Sequence, residues 1–267
     1  MDSSAVSTLQ ALVDAASRIV FFGGAGVSTE SGIPDFRSQD GLYHQHYAHP
    51  PETILSRSFF TAHPEEFFRF YRDRVLHPDA QPNPAHRTLA ALEQAGKLDA
   101  VVTQNIDGLH QKAGSRRVHE LHGSAWRNHC QRCGAGHPLD DVLNSPDVVP
   151  RCHCGGVIEP EVVLYEDPLD PDVIDAAVTA IAHADLLIIG GTSLVVYPAA
   201  GLVDYYRGRH LVVVNRDGSA PARRRGVETH VITQPIGQVF ASLGPVSESA
   251  RRFGVLDRAS RCVGEAP

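Results

Sequence analysis

Arg18-Ile19-Val20-Phe21-Phe22-Gly23-Gly24-Ala25-Gly26-Val27-Ser28-Thr29 is the stretch on which the fold turns. Ile19 to Phe22 is an apolar run without polar alternation, closed by two glycines, the mark of a short strand buried on both faces. Glycines directly after such a strand let the chain turn tightly and set backbone amides against a pyrophosphate at a helix start. The match to G-x-G-x-x-G is incomplete, because Thr29 stands where the third glycine belongs. Taken alone, the fragment reads equally well as an ordinary strand-to-helix turn. The acid that a dehydrogenase carries ~20 residues further on is missing. The chain runs instead into Ser31-Gly32-Ile33-Pro34-Asp35-Phe36-Arg37-Ser38, which does not read as a strand.

The same rhythm recurs outward from this point. Residues 5–17 space their apolar positions as one helix face. Helix-like HRTLAALEQAG precedes the strand-like Leu98–Thr103, VIDAAVTAIAH precedes Ala184–Ile189, and AAGLVDYYRG precedes Leu211–Val214. Strands that alternate with helices and show no polar face predict an α/β fold, with a parallel sheet covered on both sides. Two stretches break the pattern. Residues 41–83 hold prolines, histidines and the cluster Phe59-Phe60…Phe67-Phe68…Phe70-Tyr71, and residues 126–160 hold four cysteines with several glycines and prolines. Both read as insertions that together form a second lobe. Residues 246–267 read as a polar tail.

The 267 residues suffice for a sizeable core, and 42% hydrophobic with 21% charged residues excludes wholesale disorder. A net charge of −7 argues against a general nucleic-acid coat. No apolar run approaches the ~20 residues of a membrane span, and the N-terminus lacks the basic start of a secretory signal. The cysteine count, 5, is odd, and four lie within residues 130–154. That pattern predicts a metal site in a reducing compartment, hence a cytoplasmic protein, rather than a disulfide framework.

Cys130-x-x-Cys133, eighteen residues, then Cys152-x-Cys154 comes close to the paired-cysteine zinc pattern. Four thiolates at these spacings can close a tetrahedral shell around a structural Zn²⁺. The single-residue gap in the second pair makes a tighter chelate loop, and leaves His153 or His129 as an alternative ligand. Unmetallated buried thiols are the plainer reading. Cys262 lies in the tail as a spare thiol.

Beyond the first turn the residues stop being generic. Gly24-Ala25-Gly26-Val27-Ser28-Thr29-Glu30-Ser31-Gly32-Ile33-Pro34-Asp35-Phe36-Arg37 closely resembles the opening signature of the sirtuins, the NAD-dependent protein-lysine deacylases. Thr103-Gln104-Asn105-Ile106-Asp107-Gly108-Leu109-His110, Glu120-Leu121-His122-Gly123, Gly191-Thr192-Ser193-Leu194-Val195-Val196-Tyr197-Pro198 and Val214-Asn215 resemble the later signatures, in family order. The resemblance implies a discontinuous Rossmann-like domain from residues 1–40, 84–125 and 161–245. It implies a smaller lobe from a helical module and cofactor loop at 41–83 and a zinc module at 126–160.

The resemblance also implies a chemistry. In sirtuins the acyl-lysine carbonyl oxygen attacks the ribose carbon that bears nicotinamide, and nicotinamide leaves. A histidine then deprotonates a ribose hydroxyl, which attacks the imidate carbon, and the acyl group ends on ADP-ribose. No enzyme nucleophile is needed, in keeping with the lack of a G-x-S-x-G elbow. His122 is the implied general base; the chain has 15 histidines, and His119 shows how little a histidine near a glycine means by itself. Asn105 is the implied second catalytic group. Asp107 and the Ile106 backbone would hold the nicotinamide amide, and Gln104 and Asn105 would line the ribose pocket. Phe36 would screen the reactive face from water. Gly24, Ala25, Thr29, Asp35 and Arg37 would meet the phosphates and nearby ribose, Gly191, Thr192 and Ser193 the phosphates, Asn215 the adenosine ribose and Ile232 the adenine. The plainer readings are turn chemistry for Asn105, Asp107 and Asn215, a helix cap for Thr192 and Ser193, and a surface ion pair for Arg37.

Glu159-Pro160-Glu161-Val162-Val163-Leu164-Tyr165-Glu166-Asp167 matches the segment on which sirtuins pair with the backbone of an acylated-lysine protein or peptide, by strand addition. Val163 and Tyr165 fit the acyl-lysine tunnel. Glu159 and Glu166-Asp167 depart from the family pattern and suggest an acidic rim favouring basic peptides. Tyr71-x-x-Arg74 resembles the pair that binds carboxylated acyl groups in the desuccinylating and demalonylating branch, and i,i+3 spacing on a helix would put both on one face. Its plainer reading is a solvated helix face, since Arg69 and Arg72 crowd there. Deacetylation is the preferred activity; a carboxyacyl-specific deacylase and a protein ADP-ribosyltransferase are the alternatives. Neither nucleic acid nor membrane is expected as a partner.

Overall fold

A computed structural model describes residues 3–36, 41–44, 47–222 and 225–245. The strands are β1 (Ile19–Gly23), β2 (Leu98–Thr103), β3 (Val118–Glu120), β4 (Gly123–Cys130), β5 (Gly136–Pro138), β6 (Ile158–Val162), β7 (Leu186–Gly190), β8 (His210–Val214) and β9 (Glu228–Ile232). Six of them form a sheet in the order β3-β2-β1-β7-β8-β9, all parallel. The other three form a small antiparallel sheet, β5-β4-β6.

The period-2 alternation of the central strands divides their side chains between two cores. Ile19 and Phe21 point to one face, beside Leu9, Leu89 and Phe240 of the helices Ser3–Ala15, Pro84–Gln94 and Ile236–Ala241. Val20 and Phe22 point to the other, beside Ala177 and Ile181 of the helix Pro171–His183 and Leu202 of the 3₁₀ turn Ala199–Tyr205. All five β1 residues are buried, and full burial of each large apolar side chain contributes roughly 1.5–3 kcal/mol. The helix starts have local causes. Asn83 accepts from Ala85 N and precedes Pro84, while Asp170 accepts from Asp172 N and Val173 N and precedes Pro171.

The two insertions share one core. Phe59, Phe60, Phe67, Phe68, Phe70 and Tyr71 pack with Ala125, Cys130, Leu139, Val142, Ile158 and Leu164. Two arginines stitch the segments together. Arg72 donates to the Val142 and Val148 carbonyls at 2.8 and 2.7 Å. Arg57 forks onto Asp167 at 2.9 and 2.7 Å and also pairs with Glu159, whose second oxygen accepts from Gln131 at 2.7 Å. Glu166, at φ +79°, accepts from the Ser58 amide and hydroxyl. The acids expected to form a peptide-facing rim are thus engaged within the protein.

Of the six-stranded sheet, two strands go unnoticed in the sequence, β3 (VHE) and β9 (ETHVI). Both are sheet edges whose polar residues hide the apolar signal. AAGLVDYYRG, expected as an α-helix, forms a 3₁₀ turn. The tail expected at 246–267, with Cys262, lies outside the described residues.

Candidate active site

Strand order reverses between β1 and β7, so a crevice opens at their carboxyl ends, the place where open α/β sheets take ligands. Here the turn after β1 crosses the turn after β7. Gly24 N donates to Gly190 O at 3.2 Å, and Gly26 N to Gly191 O at 2.8 Å. A Cβ on Gly26 would sit 2.8 Å from Gly191 Cα. One on Gly191, whose φ is +57°, would sit 2.3 Å from Val27 N. Glycine is required by this crossing of two backbones.

The crossing holds a polar ring. Thr192 Oγ1 donates to Gln104 Oε1 at 3.1 Å, and Asn215 Nδ2 donates to Thr192 O at 2.8 Å. Gln104 Nε2 is buried with no hydrogen-bond partner among the described residues. A buried amide donor without a partner is costly unless a ligand accepts from it. Thr29 Oγ1 donates to Gly26 O at 3.0 Å. Ala25 and Ser193, in the turns after β1 and β7, are half-buried, as is Asp35, whose carbonyl accepts from Leu42 N; Phe36 meets Tyr43 edge to face at 5.6 Å. Arg37 lies outside the described residues.

Beside this ring, Asn105 Nδ2 donates to Ser28 Oγ at 3.1 Å, and Ser28 Oγ donates to Asp107 Oδ2 at 2.6 Å. Burial pushes the Asp107 carboxyl up, against the pull of Ser28 and the Leu109 amide. Trp126 Nε1 donates to Asp107 O at 2.7 Å and Ala125 N to Ile106 O at 3.1 Å, which fixes the loop after β2. The Ser28 hydroxyl is the element that sequence reasoning misses. It stands inside the glycine motif, but only the fold brings it to residues some eighty positions away.

His122 follows β3 and is half-buried, with Nδ1 2.9 Å from Gln104 O. A carbonyl only accepts, so Nδ1 carries the hydrogen and Nε2 is the basic nitrogen. Burial lowers the His122 pKa, with the Gln104 carbonyl partly opposing it, which favours the neutral ring. The His122 carbonyl accepts from Val163 N at 3.0 Å, which ties the imidazole's backbone to the segment read as the substrate strand. Val163 is half-buried; Tyr165 is exposed, and its hydroxyl lies 2.6 Å from that of Tyr43.

Three of the expected residues join none of these hydrogen bonds through their side chains. The Ile232 side chain is in the core under the sheet, and its carbonyl accepts from Asn215 N. Tyr71 and Arg74 occupy a π-turn, Tyr71–Val75, rather than an α-helix, which alters the i,i+3 geometry. Tyr71 is wholly buried and stacked on Phe67 at 5.4 Å, whereas Arg74 is exposed and pairs with Asp73.

The four thiols of Cys130, Cys133, Cys152 and Cys154 form one donor group with all sulfurs within 4.8 Å, and none is in a disulfide. The Cys130–Cys154 and Cys133–Cys152 sulfurs are 3.4 and 3.8 Å apart. A tetrahedral zinc with Zn–S ≈ 2.3 Å requires sulfurs about 3.8 Å apart, so the set fits that ion. Neither His129 nor His153 belongs to the donor group.

The model of the Sir2 family matches residues 24–198. The chain is similar to an NAD-dependent protein deacetylase of Clostridium acetobutylicum, 51% identical over 89% of this chain and 97% of the relative. It is similar to another of Cutibacterium acnes, 56% identical over 82% and 90%. It also superposes on the solved structure titled Sir2-p53 peptide-NAD+, with a TM-score of 0.76 and 36% identity over 88% of this chain and 95% of that one. A crevice at the β1/β7 switch point, a neutral histidine over it, a four-thiol lobe beside it and relatives of this similarity agree: the chain belongs to the Sir2 family.

Proposed function

We propose that this chain is an NAD-dependent protein-lysine deacetylase, transferring the acyl group of an acylated lysine to ADP-ribose with release of nicotinamide. The observation that carries the reading is the pairing of His122 with Gln104. One residue supplies both a carbonyl that orients the imidazole and a buried amide without a partner beside it. NAD supplies the electrophilic ribose carbon. His122 Nε2 takes a proton from a ribose hydroxyl, and Asn105, Ser28 and Asp107 form the polar wall for the nicotinamide side. The crossing of Gly24–Gly26 with Gly191–Ser193, together with Thr29, Asp35, Phe36 and Asn215, lines the cofactor's course. Val163 and Tyr165 guide the acyl-lysine. Zinc on the four cysteines holds the small lobe rather than taking part in chemistry. A shared core supports a small lobe drawn from residues 41–83 and 126–160. Four free thiols accord with a reducing compartment, and so with a cytoplasmic enzyme.

A carboxyacyl-specific activity would need the enclosed Tyr71 hydroxyl and the exposed Arg74 to converge on one carboxylate, which leaves acetyl-lysine as the preferred substrate. The test is nicotinamide release from NAD with acetyl- and succinyl-lysine peptides, alongside transfer of label from tagged NAD to protein. We expect release dependent on acetyl peptide and matched by deacetylated product. Failure to cleave NAD with any acyl peptide would overturn the reading; label accumulating on protein would favour ADP-ribosyl transfer.

A further inference from the structure

His210 opens β8, and Glu228 opens β9 directly opposite it in the parallel ladder. His230 is two residues along β9, so strand alternation returns it to the face that carries Glu228. The ladder thereby gathers two imidazoles and a carboxylate on one side of the sheet's edge. His210 Nδ1 and His230 Nε2 each lie 3.5 Å from a Glu228 oxygen, and the three donor atoms all lie within 4.8 Å of one another. Both nitrogens are enclosed, yet neither makes a well-directed hydrogen bond. The rings are near parallel, 29° apart with centroids at 6.3 Å. The side chains remain 30%, 53% and 28% exposed in the order His210, Glu228, His230, so an ion can enter from water.

We propose that His210, Glu228 and His230 bind a divalent transition-metal ion, zinc foremost, at a second metal site that bridges β8 and the edge strand β9. Imidazole nitrogen and carboxylate oxygen bind zinc at about 2.0–2.2 Å, so tetrahedral donors stand about 3.3 Å apart. The two observed 3.5 Å separations, one to each oxygen of the Glu228 carboxylate, are close to that, and water completes the shell. Two imidazoles with one carboxylate suit zinc and its first-row neighbours rather than calcium or magnesium, which take oxygen shells. The site is separate from the four thiols, and lies at the opposite end of β8 from Asn215, about 16 Å away at ~3.3 Å per residue. Its bound ion would pin the outermost strand to the sheet without entering the crevice, and the inference does not depend on the deacetylase reading.

The test uses the full chain with zinc already on its cysteines, dialysed to equilibrium against micromolar Zn²⁺ and assayed for zinc per chain. The unaltered protein should hold a second equivalent. The His210→Asn/His230→Gln double variant should hold only the thiolate zinc, and Glu228→Gln should weaken the second equivalent at least tenfold. A single equivalent in the unaltered protein, or two in the double variant, overturns the proposal. Should the double variant fail to fold, substoichiometric Ni²⁺ added to the unaltered protein decides: selective broadening of the His210 and His230 ring resonances supports the site, and its absence overturns it.

Discussion

Around Gly26 and Gly191 two backbones touch with no side chain between them, whereas around Arg57 and the four cysteines the chain is joined by long side chains and sulfur. The first junction fixes atoms by contact and accepts no added carbon. The second fixes them by charge and by metal ligation, which depend on pH, salt and chelators. A reaction that needs donors placed to within tenths of an ångström is better served by the first kind; a lobe that admits peptides of varied sequence is served by the second.

The largest effect should come at the crevice. His122→Ala should lower kcat by roughly 10²–10⁴-fold, with little change in thermal midpoint. An equal loss of stability would mean that His122 is structural. Next is the metal. Stripping zinc, or Cys152→Ser, should expose the amides of residues 51–76 and 123–164 to hydrogen exchange while β1, β2 and β7 stay protected. Uniform loss of protection would erase the contrast between the two regions. Gly191→Ala places a Cβ at φ +57°, a conformation that costs about 1–2 kcal/mol before the clash with Val27 N is counted. It should raise KM for NAD about tenfold, since 1.4 kcal/mol is a factor of ten. Smallest is the pH effect. If His122 is the base, its protonation stops turnover; burial lowers its pKa from the ordinary 6.5, so the acid limb of kcat/KM should be centred below pH 6.5. An acid limb centred above pH 6.5 would contradict the buried, neutral ring.

Legibility in the sequence follows the range of the forces involved. Leu98–Thr103 is recognisable to the residue because a strand buried on both faces leaves a nearly continuous apolar run, broken only by the half-buried Asp99 before its closing Thr103. The cysteine group is recognisable because chelation constrains spacing along the chain. Gln104 orienting His122, and Ser28 bridging Asn105 and Asp107, leave no local trace beyond the family motifs, since each partner is set by the fold. Glu159 and Asp167 suggest a solvent-facing acidic rim until Arg57, more than a hundred positions earlier, is seen to occupy both. Tyr71-x-x-Arg74 is read on regular helical spacing, whereas the chain there is a π-turn, with Tyr71 buried in the lobe core and Arg74 exposed.

The shared core of the two insertions bears on how the chain is made. Phe59, Phe60, Phe67, Phe68 and Phe70 meet one another early but complete their core only when Leu164 and the cysteines have left the ribosome, roughly 5–20 s later at usual rates of synthesis. Throughout that interval a greasy, aromatic segment waits in an unfinished polypeptide. Expression yield should therefore respond to chaperone supply and to zinc availability during translation, more than to anything done to the finished enzyme.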